Sequence, residues 1–254
     1  MRKINIYLLL SLFALSFACQ SATEGEITEG KNEDPLQAKS VDRTPQIDGF
    51  ADDPCWSNAP WHPIDQLWLG DPVDEEDFSG RYKILWSEDS LYILAEITDD
   101  TLIDIHPDGL EYYWDDDCLE IFIDEDLSGG DHQYSHNAFA YHLALDYKVA
   151  DIGPDSLAHF YDDHIRYRIS RKEGDTYFWE VALAVFDDTY QDEAADNEPV
   201  KLRSGKKMGF AIAYCDNDHS AERENFIGSV FISGEDKNRG WIDAGVFETL
   251  ELVD

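Results

Sequence analysis

The chain has 254 residues, of which 55 are acidic and 19 basic, giving a formal net charge of -36. Phosphate binding needs clustered Lys and Arg, so this balance argues against nucleic acid as a partner. It also disfavours anionic glycans and favours solubility and divalent cations, although a saline habitat accounts for the same excess with no ligand at all.

In chain order, Arg2 and Lys3 precede an apolar run over residues 4–17. That pattern reads as a secretory signal. The run is too short to remain as a membrane span, which needs roughly 20 apolar residues. Ser16-Phe17-Ala18-Cys19 resembles a bacterial lipobox, in which the cysteine is acylated and becomes the first residue. Residues 1–19 are therefore expected to be a lipoprotein signal peptide, with Cys19 lipidated and the membrane touched through that anchor only. The expected location is the cell envelope, at the outer membrane or in the periplasm. An ordinary signal peptide cut near Ala22 is the alternative. Residues 20–44 are polar, carry Glu24, Glu26, Glu29, Glu33 and Asp34, and have no apolar period, which predicts a flexible tether. Residues 45–254 remain as one domain, long enough for a substantial core.

Within that domain, residues 52–61 pack Pro54, Cys55, Trp56 and Trp61 into an irregular opening plug. Residues 81–86 and 91–97 flank Ser87-Glu88-Asp89-Ser90 and predict a hairpin. Residues 118–124 alternate, with Leu119, Ile121 and Ile123 on one face and Cys118, Glu120, Phe122 and Asp124 on the other. Further strands are predicted over 138–147, 165–170, 177–183, 208–215 and 247–252, and a turn or two of helix over 186–195. Many short strands with no βαβ rhythm predict an all-β fold, a two-sheet antiparallel β-sandwich. Without Cys19, an odd set of Cys55, Cys118 and Cys215 remains. At most one pair can form, and apolar neighbours favour buried free thiols.

A pyranose ring has an apolar face of C–H groups and a polar rim of hydroxyls. Proteins hold it by laying aromatic rings on the face and pairing polar side chains with the rim. Trp114 follows Tyr112-Tyr113 and precedes three aspartates, while Trp241 lies in Asn238-Arg239-Gly240-Trp241-Ile242-Asp243. Each is either a lid or a platform. Trp86 and Trp179 lie in alternating strands and, with Trp56 and Trp61, read as core.

Several separated segments resemble the family 9 carbohydrate-binding modules in the same order. They are Ile47-Asp48-Gly49 with Trp56, RYKILWSEDSLYILAEITDD (81–100), WDDDCLEIFID (114–124), TYFWEVALAVF, GFAIAYCDND and GWIDAGVFETLEL. The resemblance covers essentially all of residues 45–254. It implies a jelly-roll or immunoglobulin-like sandwich that binds a terminal sugar of glucan or xylan chains between two tryptophans. The matching residues are Trp114 and Trp241, with Glu120 and Asn238 as polar contacts. The chain departs from the pattern at His142, where the family carries arginine, and at Ala213, where it carries glutamine. Asp216 and Arg223 match family positions, and a structural ion pair explains them equally well. The candidate ligand-binding set is thus Trp114, Trp241, Glu120, His142, Asn238 and Asp216. The family also implies structural calcium, with Asp99, Asp100 and Asp124 among many candidate acids; no ligand set stands out and no cofactor is required.

His132, His136 and His142 lie in one stretch near Asp131 and Asp146, as a zinc site would require, but loop histidines in an acidic surface are commoner. Asp115, Asp116, Asp117 and Glu120 supply carboxylates for glycoside cleavage only in the sense that acids are everywhere. Neither a nucleophile elbow nor a phosphate loop is present. The expectation is a non-catalytic glycan binder at the cell envelope. The alternatives are a glycoside-cleaving enzyme or its accessory module, and a structural envelope protein that binds a protein partner.

Overall fold

The computed structural model describes residues 34–254. The expected signal peptide, Cys19 and the first part of the expected tether lie outside the described residues. Fourteen strands follow in chain order: β1 Leu36–Ser40, β2 His62–Ile64, β3 Gln66–Leu69, β4 Phe78–Trp86, β5 Leu91–Asp99, β6 Cys118–Asp124 and β7 Phe139–Ala144, then β8 Val149–Ile152, β9 Ala158–Phe160, β10 Ile165–Glu173, β11 Thr176–Leu183, β12 Lys207–Asp216, β13 Asn225–Gly228 and β14 Glu248–Val253. Single 3-10 turns at Pro54–Asn58 and Ala244–Val246 are the helical elements among the described residues. The stretch 186–195, where helix was expected, is held by isolated turns such as Tyr190 N–H to the Asp187 carbonyl.

One layer runs β10-β11-β5-β4 and the other β14-β12-β6-β7-β8-β9. β1 joins them, pairing in parallel with β14 over residues 36–39 and with β4 at Lys39 and Ser40. This is the sandwich that alternation predicts. Leu119, Ile121 and Ile123 of β6 meet Ile84, Ile93 and Val181 of the opposite layer in the main core. Phe122 and Cys118 turn to the outer face, where a second cluster forms with Trp68 and Phe226. A third cluster on the outer face of the first layer contains Trp56, whose indole N–H donates to buried Glu180. The same carboxylate accepts the Asp48 and Gly49 amides, so the opening plug is fastened to β11.

Two expectations need correction. Residues 36–40 are not tether: Leu36 and Ala38 are buried in the sheet. Their strand depends on pairing with the far end of the chain, which no local period reveals. Of the four tryptophans expected in the core, Trp56, Trp86 and Trp179 are buried. Trp61 is half-buried, because Arg81 and Lys83 lie 4.4 and 4.8 Å from its ring and cover it with charge.

β13 and β3 extend the second layer over its outer face, and Gly228 lets them do so. A Cβ at Gly228 would stand 2.1 Å from the Trp68 ring. The indole therefore lies directly on the strand backbone and donates its N–H to the Val230 carbonyl at 2.9 Å. Gly228→Ala is expected to cost about 1 to 3 kcal/mol by overpacking, read as a lower midpoint in urea unfolding with an unchanged slope.

Candidate ligand-binding site

The outer face of β6 and β12 carries Glu120 among small neighbours, with Ala213 directly opposite in register. Loops from both ends of the layer rise around this face and enclose a cavity of about 380 Å³. Tyr113 and Trp114 line it from the β5–β6 loop, Tyr134 from the β6–β7 loop, and Asn238 and Trp241 from the β13–β14 loop. His142 on β7, Asp151 on β8 and Arg223 before β13 complete its polar wall, beside Ile152 and over buried Glu120, Phe122 and Phe226. Five of the six expected residues, Trp114, Trp241, Glu120, His142 and Asn238, thus share one cavity. Asp216 does not; successive strand residues face opposite ways, so it points to the other side of β12 from Cys215.

Each indole is held by its own loop. Trp114 is 38% exposed, and the Tyr113 ring meets it edge-on at 5.0 Å while meeting His142 edge-on at 4.7 Å. Tyr113 is thus a wedge between the Trp114 indole and the His142 wall. Trp241 is half-buried against the outer cluster. Its turn is closed by Asp243 N–H to the Arg239 carbonyl, and His132 Nε2 donates to the Gly240 carbonyl at 2.8 Å. A carbonyl only accepts, so the Nε2 nitrogen carries the proton. Burial lowers the His132 pKa and keeps the ring neutral.

Glu120 is the electrostatic centre. Its Oε1 accepts from His142 Nε2 at 2.8 Å, from Arg223 Nη1 at 3.2 Å and from the Cys215 thiol at 3.0 Å. Burial alone would raise this carboxyl; His142 first, then Arg223 and the thiol, outweigh burial and hold it below its ordinary range. Arg223 is fixed in turn, with Nη2 on Asn238 Oδ1 at 3.3 Å and the guanidinium 4.1 Å over Phe226. Asp151 behaves oppositely: burial pushes it up to about 6, although the amides of Ala140 and Ile152 donate to it.

Sequence reasoning did not place Tyr113, Tyr134, Asp151 or Arg223 in the site. Arg223 matched a family position, with a structural ion pair beside Asp216 as the alternative reading; its ion pair is with Glu120 instead. Its guanidinium reaches Glu120 from the β12–β13 turn, beside His142, where the family pattern has arginine on the neighbouring strand. Tyr113 had a signal in the Tyr-Tyr-Trp triplet. Asp151 and Tyr134 had none.

The acids before β6 serve loops. Asp116 accepts the Ile105 and His106 amides at 3.0 Å, and Asp115 accepts the Arg223 amide at 3.2 Å. The three clustered histidines separate as well: His132 clasps the Trp241 turn, His142 holds Glu120, and His136 stacks on Phe139 at 5.1 Å beside Asp192. Among the described residues, no group able to hold a metal contains any of them.

Asp216 instead joins Asp99 and Asp117, all three buried, with an oxygen of each within 4.8 Å of the others. Burial, then the Asp99 charge, raises Asp117 to about 9; burial and the same neighbour raise Asp216 to about 8; burial raises Asp99 to about 6. Asp216 Oδ1 has no hydrogen-bond partner. Three hard oxygens, one orphaned, fit a calcium-type cation. Asp124, the other acid singled out beforehand, instead accepts the Gly129 amide, and Asp100 lies in an adjoining group with Asp77 and Asp218. With metal chelated, the folded state holds protons at the cluster that the unfolded chain has released. Its contribution to stability must therefore fall as pH rises from about 4 to about 9. Unfolding midpoints across that range, in chelator, should decline more steeply for the wild type than for Asp117→Asn.

A family model described as carbohydrate family 9 binding domain-like matches residues 47–254. Among solved structures, a family 9 carbohydrate-binding module from Caldicellulosiruptor kristjanssonii in complex with cellotriose is similar at 18% identity and a TM-score of 0.62, covering 86% of this chain and 93% of that one. One from the same organism in complex with glucose is similar at 19% identity and a TM-score of 0.60, covering 85% and 95%. At these identities the likeness speaks for the fold. No curated protein shows significant similarity to the chain.

Proposed function

The chain belongs to the carbohydrate family 9 binding domain-like family, and from that premise we propose that it is a non-catalytic glycan binder gripping a terminal sugar between Trp114 and Trp241. The observation that carries this reading is the convergence of two indoles from distant loops on one cavity with a fixed Glu120–Arg223–Asn238 polar network. The rings offer faces to the C–H side of a pyranose, and Arg223, Asn238, His142 and Asp151 are within the same wall to meet its hydroxyls. The substrate class is the end of a neutral glucan or xylan chain. Anchored through lipid on Cys19, the domain would hold such chains at the cell envelope.

A cleaving enzyme is the second reading, favoured by two cavity carboxylates displaced in opposite directions, Glu120 down and Asp151 up. Against it, the Glu120 oxygen that faces Arg223 already accepts three donors. Both Asp151 oxygens accept backbone amides. Groups so fastened are poor proton carriers, and binding is the better assignment.

Stacking contributes about 0.5 to 1.5 kcal/mol per aromatic contact, so affinities in the micromolar to millimolar range are expected. Calorimetry with cello- and xylo-oligosaccharides should show saturable binding, weakened about 2- to 12-fold by Trp114→Ala or Trp241→Ala. Saturable binding indifferent to both substitutions would reject the site, and sugar turnover by the purified chain would favour the enzyme.

The buried Asp99, Asp117 and Asp216 would hold structural calcium, which supplies positive charge between the β5 end, the β6 start and the β12 end. Millimolar calcium should raise the unfolding midpoint of chelator-treated protein, and Asp216→Asn should abolish the rise.

A further inference from the structure

Beneath the cavity, β6 and β12 bring two cysteines face to face. Cys118 and Cys215 are directly opposed in an antiparallel register, and both are fully buried. Directly opposed residues of such a pair have Cα atoms roughly 4.5 or 5.5 Å apart, and both values fall within the roughly 4.4–6.8 Å span of disulfides. Both side chains leave the sheet on the same outer face, and their sulfurs lie within 4.8 Å of each other and of a Glu120 oxygen. Cys55 packs on the opposite layer, in the third cluster, and cannot compete.

We propose that Cys118 and Cys215 are a disulfide-forming pair that cross-links the two strands under the cavity. The oxidant is a disulfide donor, either glutathione disulfide or a dithiol oxidase in its oxidised form. One cysteine thiolate attacks a donor sulfur and expels a thiolate; the second attacks the resulting mixed disulfide and expels the other. Two electrons pass to the donor, and the two protons lost by the cysteines end on its two leaving sulfurs.

Burial fixes the order of events. Inside the folded domain neither sulfur is accessible, and burial raises both thiols, so the thiolate is scarce. The bond therefore forms while β6 and β12 are pairing and is afterwards shielded from reductants. It also removes the thiol proton that Glu120 accepts, leaving His142 and Arg223 as the donors on that oxygen.

The same trio of Cys118, Glu120 and Cys215 has the donors for a soft metal. Arg223 stands against that: its Nη1 lies 3.0 Å from Cys215 and 3.2 Å from Glu120, so the guanidinium already supplies the positive charge and would repel a dication.

The test uses the full chain, refolded in a glutathione redox buffer, then unfolded without reductant in iodoacetamide and digested. The expected result is one peptide pair joined through Cys118 and Cys215, separated by reduction, with Cys55 alkylated and Cys19, where it is present as a thiol, alkylated as well. An unfolding midpoint several degrees lower after refolding in reductant should accompany it. Alkylation of both Cys118 and Cys215, a cross-link from either to Cys55, or stoichiometric zinc protecting both thiols would each overturn the proposal. None of these outcomes depends on sugar binding, so the functional assignment stands or falls separately.

Discussion

A carboxylate with almost no water around it anchors the binding face. Glu120 projects from the middle of β6, where its neighbours on the strand join cores on both sides, and it remains ionised because His142 and Arg223, with Cys215 in its thiol form, meet one of its oxygens. Removing a charge from water is expensive, and only such convergence offsets it. The consequence is positional. His142 fixes β7, Cys215 fixes β12, and Arg223 fixes the turn that leads into β13, all against one atom. Arg223 then holds Asn238, and Asn238 starts the loop that ends in Trp241. The polar wall and one of the two cavity indoles therefore inherit their placement from this buried charge.

The other indole of the cavity depends on a different arrangement. Trp114 stands on a loop tied down by successive aspartates, and Tyr113 packs its edge between that indole and His142. Behind the loop, Asp117 accepts the Ile103 and Asn217 amides while facing Asp99 and Asp216. One run of acids thus performs two opposed tasks. Its hydrogen bonds order the loop, and Asp117, facing Asp99 and Asp216, keeps its proton where β5, β6 and β12 end together. A divalent cation would take the place of those protons, and Asp216 brings an oxygen with no hydrogen-bond partner.

Much of this was legible in the sequence wherever a signal was local. The alternation of β6 separated Glu120 from the aliphatic face, the turn residues 87–90 located a hairpin, and the aromatic-rich loops marked Trp114 and Trp241. Strands of three or four residues were not legible: β2, β3, β8, β9 and β13 are too short for a period of two to register, and Pro63 disguises β2 further. Asp151 reaches the cavity from one of these short strands, which is why it was missed. Asp216 was assigned to the wrong side because matching a family position does not say which way a strand residue points. Arg223 carried a signal, yet only the fold shows that its guanidinium approaches Glu120 from across a turn.

The first strand bears on how the domain meets load. β1 is hydrogen-bonded along its length to β14 on one side and, at its end, to β4 on the other, and it runs parallel to β14. A pull on the chain upstream of Leu36 is directed along β1 and shears its bonds together instead of peeling them open one at a time. Resistance to such a pull is governed by how fast the strand slips rather than by equilibrium stability. The joint between the two layers is thus also the point at which a load applied upstream of Leu36 enters the fold.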